Sequence, residues 1–110
     1  MSIIGATSGE LLKRLDRGDV QSQEIVTAYL DAIAMQDAKV SAFLNVDRER
    51  ALSQARSVDE KRRRGERVGK LGGLPVAIKD VICTKGEPTT CASRMLKNFV
   101  PPYDAHVITR

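Results

Sequence analysis

Apolar positions recur every three or four residues through three stretches of the chain, the spacing of one-sided helices. In "TSGELLKRLDRG", Leu11, Leu12 and Leu15 share a face, Thr7 with Glu10 three residues on has the form of a capping box, and Gly18 can close the helix. This predicts a helix over about 8–17. From Ser22, which can serve as an N-cap, Ile25, Val26, Tyr29, Leu30 and Ile33 predict a second over about 22–37. "VSAFLNV", Val40 to Val46, is β-rich enough for a short extended segment, after which Asp47 can cap a third helix over about 47–64 with Ala51, Leu52, Ala55 and Val58 facing inward. A stripe on one side only needs something to pack against, so these residues read as core and imply no cofactor role.

The period changes at "LGGLPVAIKDVICTKG". Pro75 can begin an extended run but not sit centrally in one, and the apolar residues after it predict a strand over about 74–79. A strand apolar on both faces belongs in a sheet covered on both sides and needs neighbouring strands, of which this chain supplies almost none. Residues 80–104 are broken by Gly86, Pro88, Pro101 and Pro102 into turns and loops, with Ser93 placed to cap a turn or two within "SRMLKN". Asp104 is expected to cap a further helix over 105–110, with Ala105, Val107 and Ile108 turned inward. A buried-type strand without partners and a helix barely past its first turn at Arg110 lead to the expectation of the N-terminal part of a longer α/β protein.

Composition adds bounds. At 110 residues there is room for one small domain, and 42% hydrophobic with 29% charged residues suits a folded soluble protein rather than a disordered one. No run approaches the roughly 20 apolar residues of a membrane span, and the N-terminus lacks a basic segment followed by an apolar one. A cytoplasmic location is expected, or an organelle reached by another signal. Cys83 and Cys91, with His106 the single histidine, suggest neither a disulfide framework nor a zinc site. The net charge of +4 is uneven, since "KRRRGER", Lys61 to Arg67, holds five of the eighteen basic residues. It reads either as a solvated helix end closing at Gly65, which the helical pattern favours, or as an RNA contact. A small basic RNA-binding module is the weaker reading, because Tyr29, Phe43, Phe99 and Tyr103 are the only aromatic residues available to stack bases.

Lys79 is the residue that needs explaining. Strand alternation puts Val76, Ile78 and Asp80 on one face and Ala77 and Lys79 on the other, so Asp80 is badly placed to neutralise it. One reading has the lysine stem snorkel to water where the strand leaves the sheet. The other places it in the crevice outside a strand's C-terminal end, where open α/β sheets bind ligands and a desolvated amine can act as a base. Spacing does not decide between them.

"GGLPVAIKDVICTKGEPTTCASRMLKNFVPPYDAHVI" resembles the first motif block of the amidase signature family. "PVAIKD" followed by "DA" and two apolar residues is common across that family, while "ICTKG", "TTCAS", "NFVPPYDA" and the opening helices resemble the branch of glutamyl-tRNA(Gln)/aspartyl-tRNA(Asn) amidotransferase A subunits. Two positions depart from the pattern: Val81 stands where asparagine is usual and His106 where threonine is common. Neither is catalytic in the family.

The resemblance implies an α/β fold, the N-terminal helices and first strand of a mixed sheet covered by helices, incomplete in this chain. It implies a serine nucleophile activated through a second serine by a neutral lysine, and Lys79 matches that lysine. The two serines belong to a glycine- and serine-rich signature that the chain does not reach, so the 110 residues alone are expected to be inactive. Thr89, Thr90 and Ser93 are not expected to be catalytic, Ser93 being a cap. The branch implies a glutamine-hydrolysing protein whose ammonia passes to a B subunit that uses ATP and Mg to convert mischarged Glu-tRNA(Gln), making a C–N bond, with a C subunit completing a heterotrimer. No cofactor or metal is expected on this chain, tRNA is expected to be held through the partner, and no membrane is involved. A free-standing amidase acting on another small amide shares Lys79 and stays open.

Overall fold

The computed structural model describes residues 2–110. It contains α1 (Ser8–Arg17), α2 (Ser22–Val40), α3 (Arg48–Arg63), a 3-10 turn (Arg94–Leu96) and a short α4 (His106–Thr109). The chain divides into two compact units, Met1–Ala42 with Val46–Val76, and Phe43–Asn45 with Ala77–Arg110.

The first unit is built on the three helices, and local signals set most of their ends. Thr7 and Glu10 form a reciprocal capping box, with the Thr7 N–H donating to Glu10 Oε2 at 2.7 Å and the Glu10 N–H to Thr7 Oγ1 at 3.2 Å. The Thr7 N–H, and after it the Thr7 hydroxyl donating to the same Oε2 at 2.9 Å, hold the Glu10 carboxyl below its usual value. At the other end Gly18 takes φ 76°, and the Gly18 and Asp19 N–H groups reach the Leu15 and Arg14 carbonyls. Gly65 plays the same part after α3, with φ 72° and the Glu66 N–H bonded to the Lys61 carbonyl at 2.9 Å. Asp47 caps α3 by accepting from the Arg50 N–H at 3.0 Å.

Leu11, Leu15, Val20 and Ile25 form one buried cluster, with Ile3, Ala6, Leu12, Tyr29 and Leu74 packed around it. Val26, Leu30 and Ala55 form a second between α2 and α3, flanked by Ala51 and Leu52. The start of α2 differs from the reading of Ser22 as its cap. Gln21 is the N-cap, and Ser22 lies inside the helix, 1% exposed. Glu24 Oε2 accepts from the Gln21 N–H at 2.7 Å, and the next two N–H groups are capped from α3: Asp59 Oδ1 accepts from the Ser22 N–H at 2.7 Å and Oδ2 from the Gln23 N–H at 3.0 Å. A buried carboxylate thus sits where the α2 dipole is positive. The freed Ser22 hydroxyl donates to the Gly73 carbonyl at 2.8 Å, and Arg62 donates to the Gly72 carbonyl at 2.9 Å and to Asp16 at 2.8 Å. Arg62 is therefore a packing residue, while Lys61, Arg63, Arg64 and Arg67 are exposed.

Two expectations about extended structure are not met among the described residues. Residues 74–79 form no strand, and no sheet exists among the described residues, because a strand is defined by its ladder and no partner segment lies beside this one. Val76, Ile78 and Val81 are exposed accordingly. Nor is 40–46 a strand: α2 continues to Val40 and ends at Ser41 with φ 54°.

The second unit is a loop module tied by bonds across its two arms. The Ala105 N–H meets the Cys83 carbonyl at 2.8 Å, the Gly86 N–H the Pro101 carbonyl at 3.2 Å, and the Thr89 N–H the Phe99 carbonyl at 3.0 Å. Pro101 is fully buried and Thr89 is 4% exposed. Asp104 does not cap α4, for which Ala105 is the N-cap; it accepts from the Lys85 N–H at 2.7 Å, closing the same pair of arms.

Candidate functional site

The site lies in the second unit, where the motif residues after Pro75 converge. Lys79 ends the segment without a ladder and begins a tight turn, closed by the Ile82 N–H donating to the Lys79 carbonyl at 3.0 Å. Its side chain is exposed.

Asp80, the next residue, collects donors from "TTCAS". Its Oδ1 accepts the Thr90 N–H at 2.9 Å, and its Oδ2 accepts the Thr90 hydroxyl and, at 3.3 Å, the Ala92 N–H. Its backbone carbonyl takes the Cys91 N–H at 3.0 Å. The Thr90 hydroxyl, followed by the Thr90 N–H, holds the Asp80 carboxyl below its ordinary value, since each bond favours the charged form.

The gathered segment is itself a turn. The Ser93 N–H donates to the Thr90 carbonyl at 2.8 Å, and between them Cys91 and Ala92 have φ 51° and 54°. Both central residues lie in the left-handed region, a conformation usually given to Asn and Gly. A side chain there costs about 1–2 kcal/mol per residue. Bonds to a charged acceptor contribute about 1.5–3 kcal/mol each, so the Thr90 hydroxyl and N–H on Asp80 are enough to offset the strain. Ser93 then caps the 3-10 turn, accepting from the Met95 N–H at 3.2 Å.

The pattern along the chain points to Lys79 and passes over Asp80, which enters it only as a counter-ion for the lysine. The signal that could have found it is Asp80 together with the hydroxyl of Thr90 and the glycine-free turn "TCAS". Thr89 is buried and its hydroxyl oxygen accepts from the Thr84 N–H at 3.5 Å, so it holds the loop. Both cysteines are free: Cys91 is exposed, and the Cys83 thiol donates to the Tyr103 hydroxyl at 3.7 Å. That bond, with the charge of the Cys83 sulfur when ionised, raises the Tyr103 phenol above its ordinary range.

A family pattern spans most of both units. The amidase family pattern covers residues 24–110, and the chain belongs to that family. Among curated relatives, the A subunit of the glutamyl-tRNA(Gln) amidotransferase of Streptomyces coelicolor is 48% identical over 98% of this chain and 22% of its own length. The protein of the same name from Moorella thermoacetica is 46% identical over 100% of this chain and 23% of its own. This chain therefore spans about a fifth of the length of the relatives it matches. A solved structure described as a vestigial protein complex revealing the evolutionary origins of an s-triazine catabolic enzyme superposes with a TM-score of 0.88, at 26% identity, over 94% of this chain and 23% of that one. Among the described residues no helix is long and apolar enough to cross a membrane.

Proposed function

We propose that, at full length, this protein is the glutamine-hydrolysing component of a tRNA-dependent amidotransferase, with Lys79 as the base. The observation that carries the reading is 48% identity, sustained over 98% of the chain, with the A subunit of a glutamyl-tRNA(Gln) amidotransferase. An unprotonated lysine takes a proton from a bridging serine, which takes one from the nucleophilic serine as that attacks the glutamine amide; the proton returns by the same route to the leaving nitrogen, the C–N bond breaks to give ammonia and an acyl-enzyme, and water, activated in the same way, releases glutamate. Both serines and the sheet that covers Val76, Ile78 and Val81 come from sequence outside these residues. The ammonia goes to a B subunit that uses ATP and Mg on the mischarged tRNA, a C subunit completes the assembly, and the complex works in the cytoplasm or in an organelle with its own translation.

The test is Lys79→Ala in the full-length protein purified with its partner subunits. Ammonia release from glutamine should fall at least 10³-fold, a magnitude in the range lost when a general base is removed, with the circular dichroism spectrum unchanged. Near-parental release would refute the base role. A full-length protein that hydrolyses a different small amide and brings down no partner would instead favour a free-standing amidase.

A further inference from the structure

We infer that Asp80 is a positioning residue: by binding the turn Thr90–Ser93 through its carboxylate and its carbonyl, it fixes the backbone that carries Lys79. The inference rests on the reading of Lys79 as the base. Asp80 is the second residue of the turn that Lys79 opens, so any movement of Asp80 is passed to Lys79 through one peptide unit. On its other side Asp80 is held by the Thr90 hydroxyl and N–H and by the Cys91 and Ala92 N–H groups.

The backbone conformation shows that this anchoring is more than surface decoration. Cys91 and Ala92 both occupy the left-handed region without a glycine between Thr90 and Ser93. A sequence free to relax the turn would leave that region, so the conformation persists because neighbouring groups impose it. The Ser93 N–H closes the turn on the Thr90 carbonyl, and the Ala92 N–H is shared between Thr90 Oγ1 at 3.2 Å and Asp80. The Thr90 hydroxyl and the Thr90, Cys91 and Ala92 N–H groups end on Asp80, which is the partner from outside the turn that they share. Thr90 contributes twice, through main chain and side chain, and is half-buried. The two turns therefore behave as one body, and the base stands on its rim. A general base must lie within hydrogen-bond reach of the proton it takes, and a misplacement of about 1 Å costs on the order of 10²-fold in rate.

The experiment uses the full-length protein with its partner subunits and glutamine as substrate. Asp80→Asn should lower kcat by about 10–100-fold with KM within about twofold, as expected when orientation of the base is lost and substrate binding is not. Thr90→Ser, which keeps the hydroxyl, should stay near the parent; Thr90→Val should lose about 3–10-fold in kcat, in line with one lost hydrogen bond. In the Lys79→Ala background, Asp80→Asn should cost nothing further, because the two act as a unit. An unchanged kcat for Asp80→Asn, with Lys79→Ala inactive, would overturn the positioning role and leave the base role standing. Equal losses for Thr90→Ser and Thr90→Val, or a parallel fall in kcat and melting temperature with a rise in KM, would reduce Asp80 to a folding residue. Full activity in Lys79→Ala would defeat the base reading itself.

Discussion

Replacing Asp59 tests the least local feature of the fold. Its carboxylate is on α3, yet it caps α2 across 36 and 37 residues of sequence, at 3.0 Å from the Gln23 N–H and 2.7 Å from the Ser22 N–H. Asp59→Ala removes two charge-assisted bonds and leaves two donors without acceptors in a place water does not easily reach, Ser22 being 1% exposed. Such bonds contribute about 1.5–3 kcal/mol each. The carboxylate also faces the positive end of α2, worth about 0.3–1 kcal/mol more. Rearrangement around a smaller side chain recovers part of the sum, so the expected loss is about 3–4 kcal/mol, with Asp59→Asn near 2 kcal/mol because one acceptor oxygen remains. The control is Asp16→Ala, which breaks an ion pair to Arg62 whose aspartate side chain is 70% exposed and should cost under about 1 kcal/mol. Amide exchange in the full-length protein is the assay, read at Ile25, whose N–H is bonded to the Gln21 carbonyl at 3.2 Å and does not touch Asp59. Asp59→Ala should speed its exchange by about 100- to 1,000-fold, the equivalent of the energy above. Exchange at Ile25 no faster than in Asp16→Ala would refute the claim that α3 caps α2.

Two further outcomes follow from single residues. Asp80 has a folded-state pKa below its unfolded value of 3.8, so its contribution to the loop module is fully present above that value and is lost as pH falls through the lower folded value. Amide signals of Thr90, Cys91 and Ala92 followed from about pH 6 downward should shift together with a midpoint below 3.8; a midpoint above it would contradict the bonding described. Gly73→Ala puts a side chain at φ 101° with its Cβ 3.1 Å from Leu15 Cδ1, and should cost about 2 kcal/mol in urea unfolding, where a stabilised variant would show that the turn relaxes.

The helices are legible because their ends are written locally. Thr7, Glu10 and Gly18 all lie within one helix and its flanks, and the core stripes Leu11/Leu15 and Ile25/Val26/Leu30 are spaced by the helical period itself. Where the cap is distant, pattern reading chooses the nearest hydroxyl. Ser22 has the right type and place for an N-cap, but its hydroxyl is used on Gly73 and the capping is done by Asp59. Asp104 misleads for the same reason: it precedes a helix start, yet its carboxylate is committed to the Lys85 N–H. The strand at 74–79 fails differently. Composition can report that a segment suits a buried sheet, but a ladder needs a second segment, and pairing is not a property of one run of residues.

The same failure hides the site's organisation. Strand periodicity carried from 74–79 through to Asp80 puts Lys79 and Asp80 on opposite faces and leaves the aspartate with nothing to do. The chain turns at Lys79, and period-two alternation ends with it, so the carboxylate is free to point at "TTCAS". That removes Asp80 as a candidate counter-ion for a different reason from the one the pattern offers: its oxygens are already occupied by Thr90 and Ala92. On the proposed reading of Lys79 as the base, three donors on the Asp80 carboxylate compete with an ion pair to the amine, and such a pair would favour the protonated form. On that reading the two residues of "KD" divide the work, Asp80 binding the Thr90–Ser93 turn and Lys79 carrying the amine.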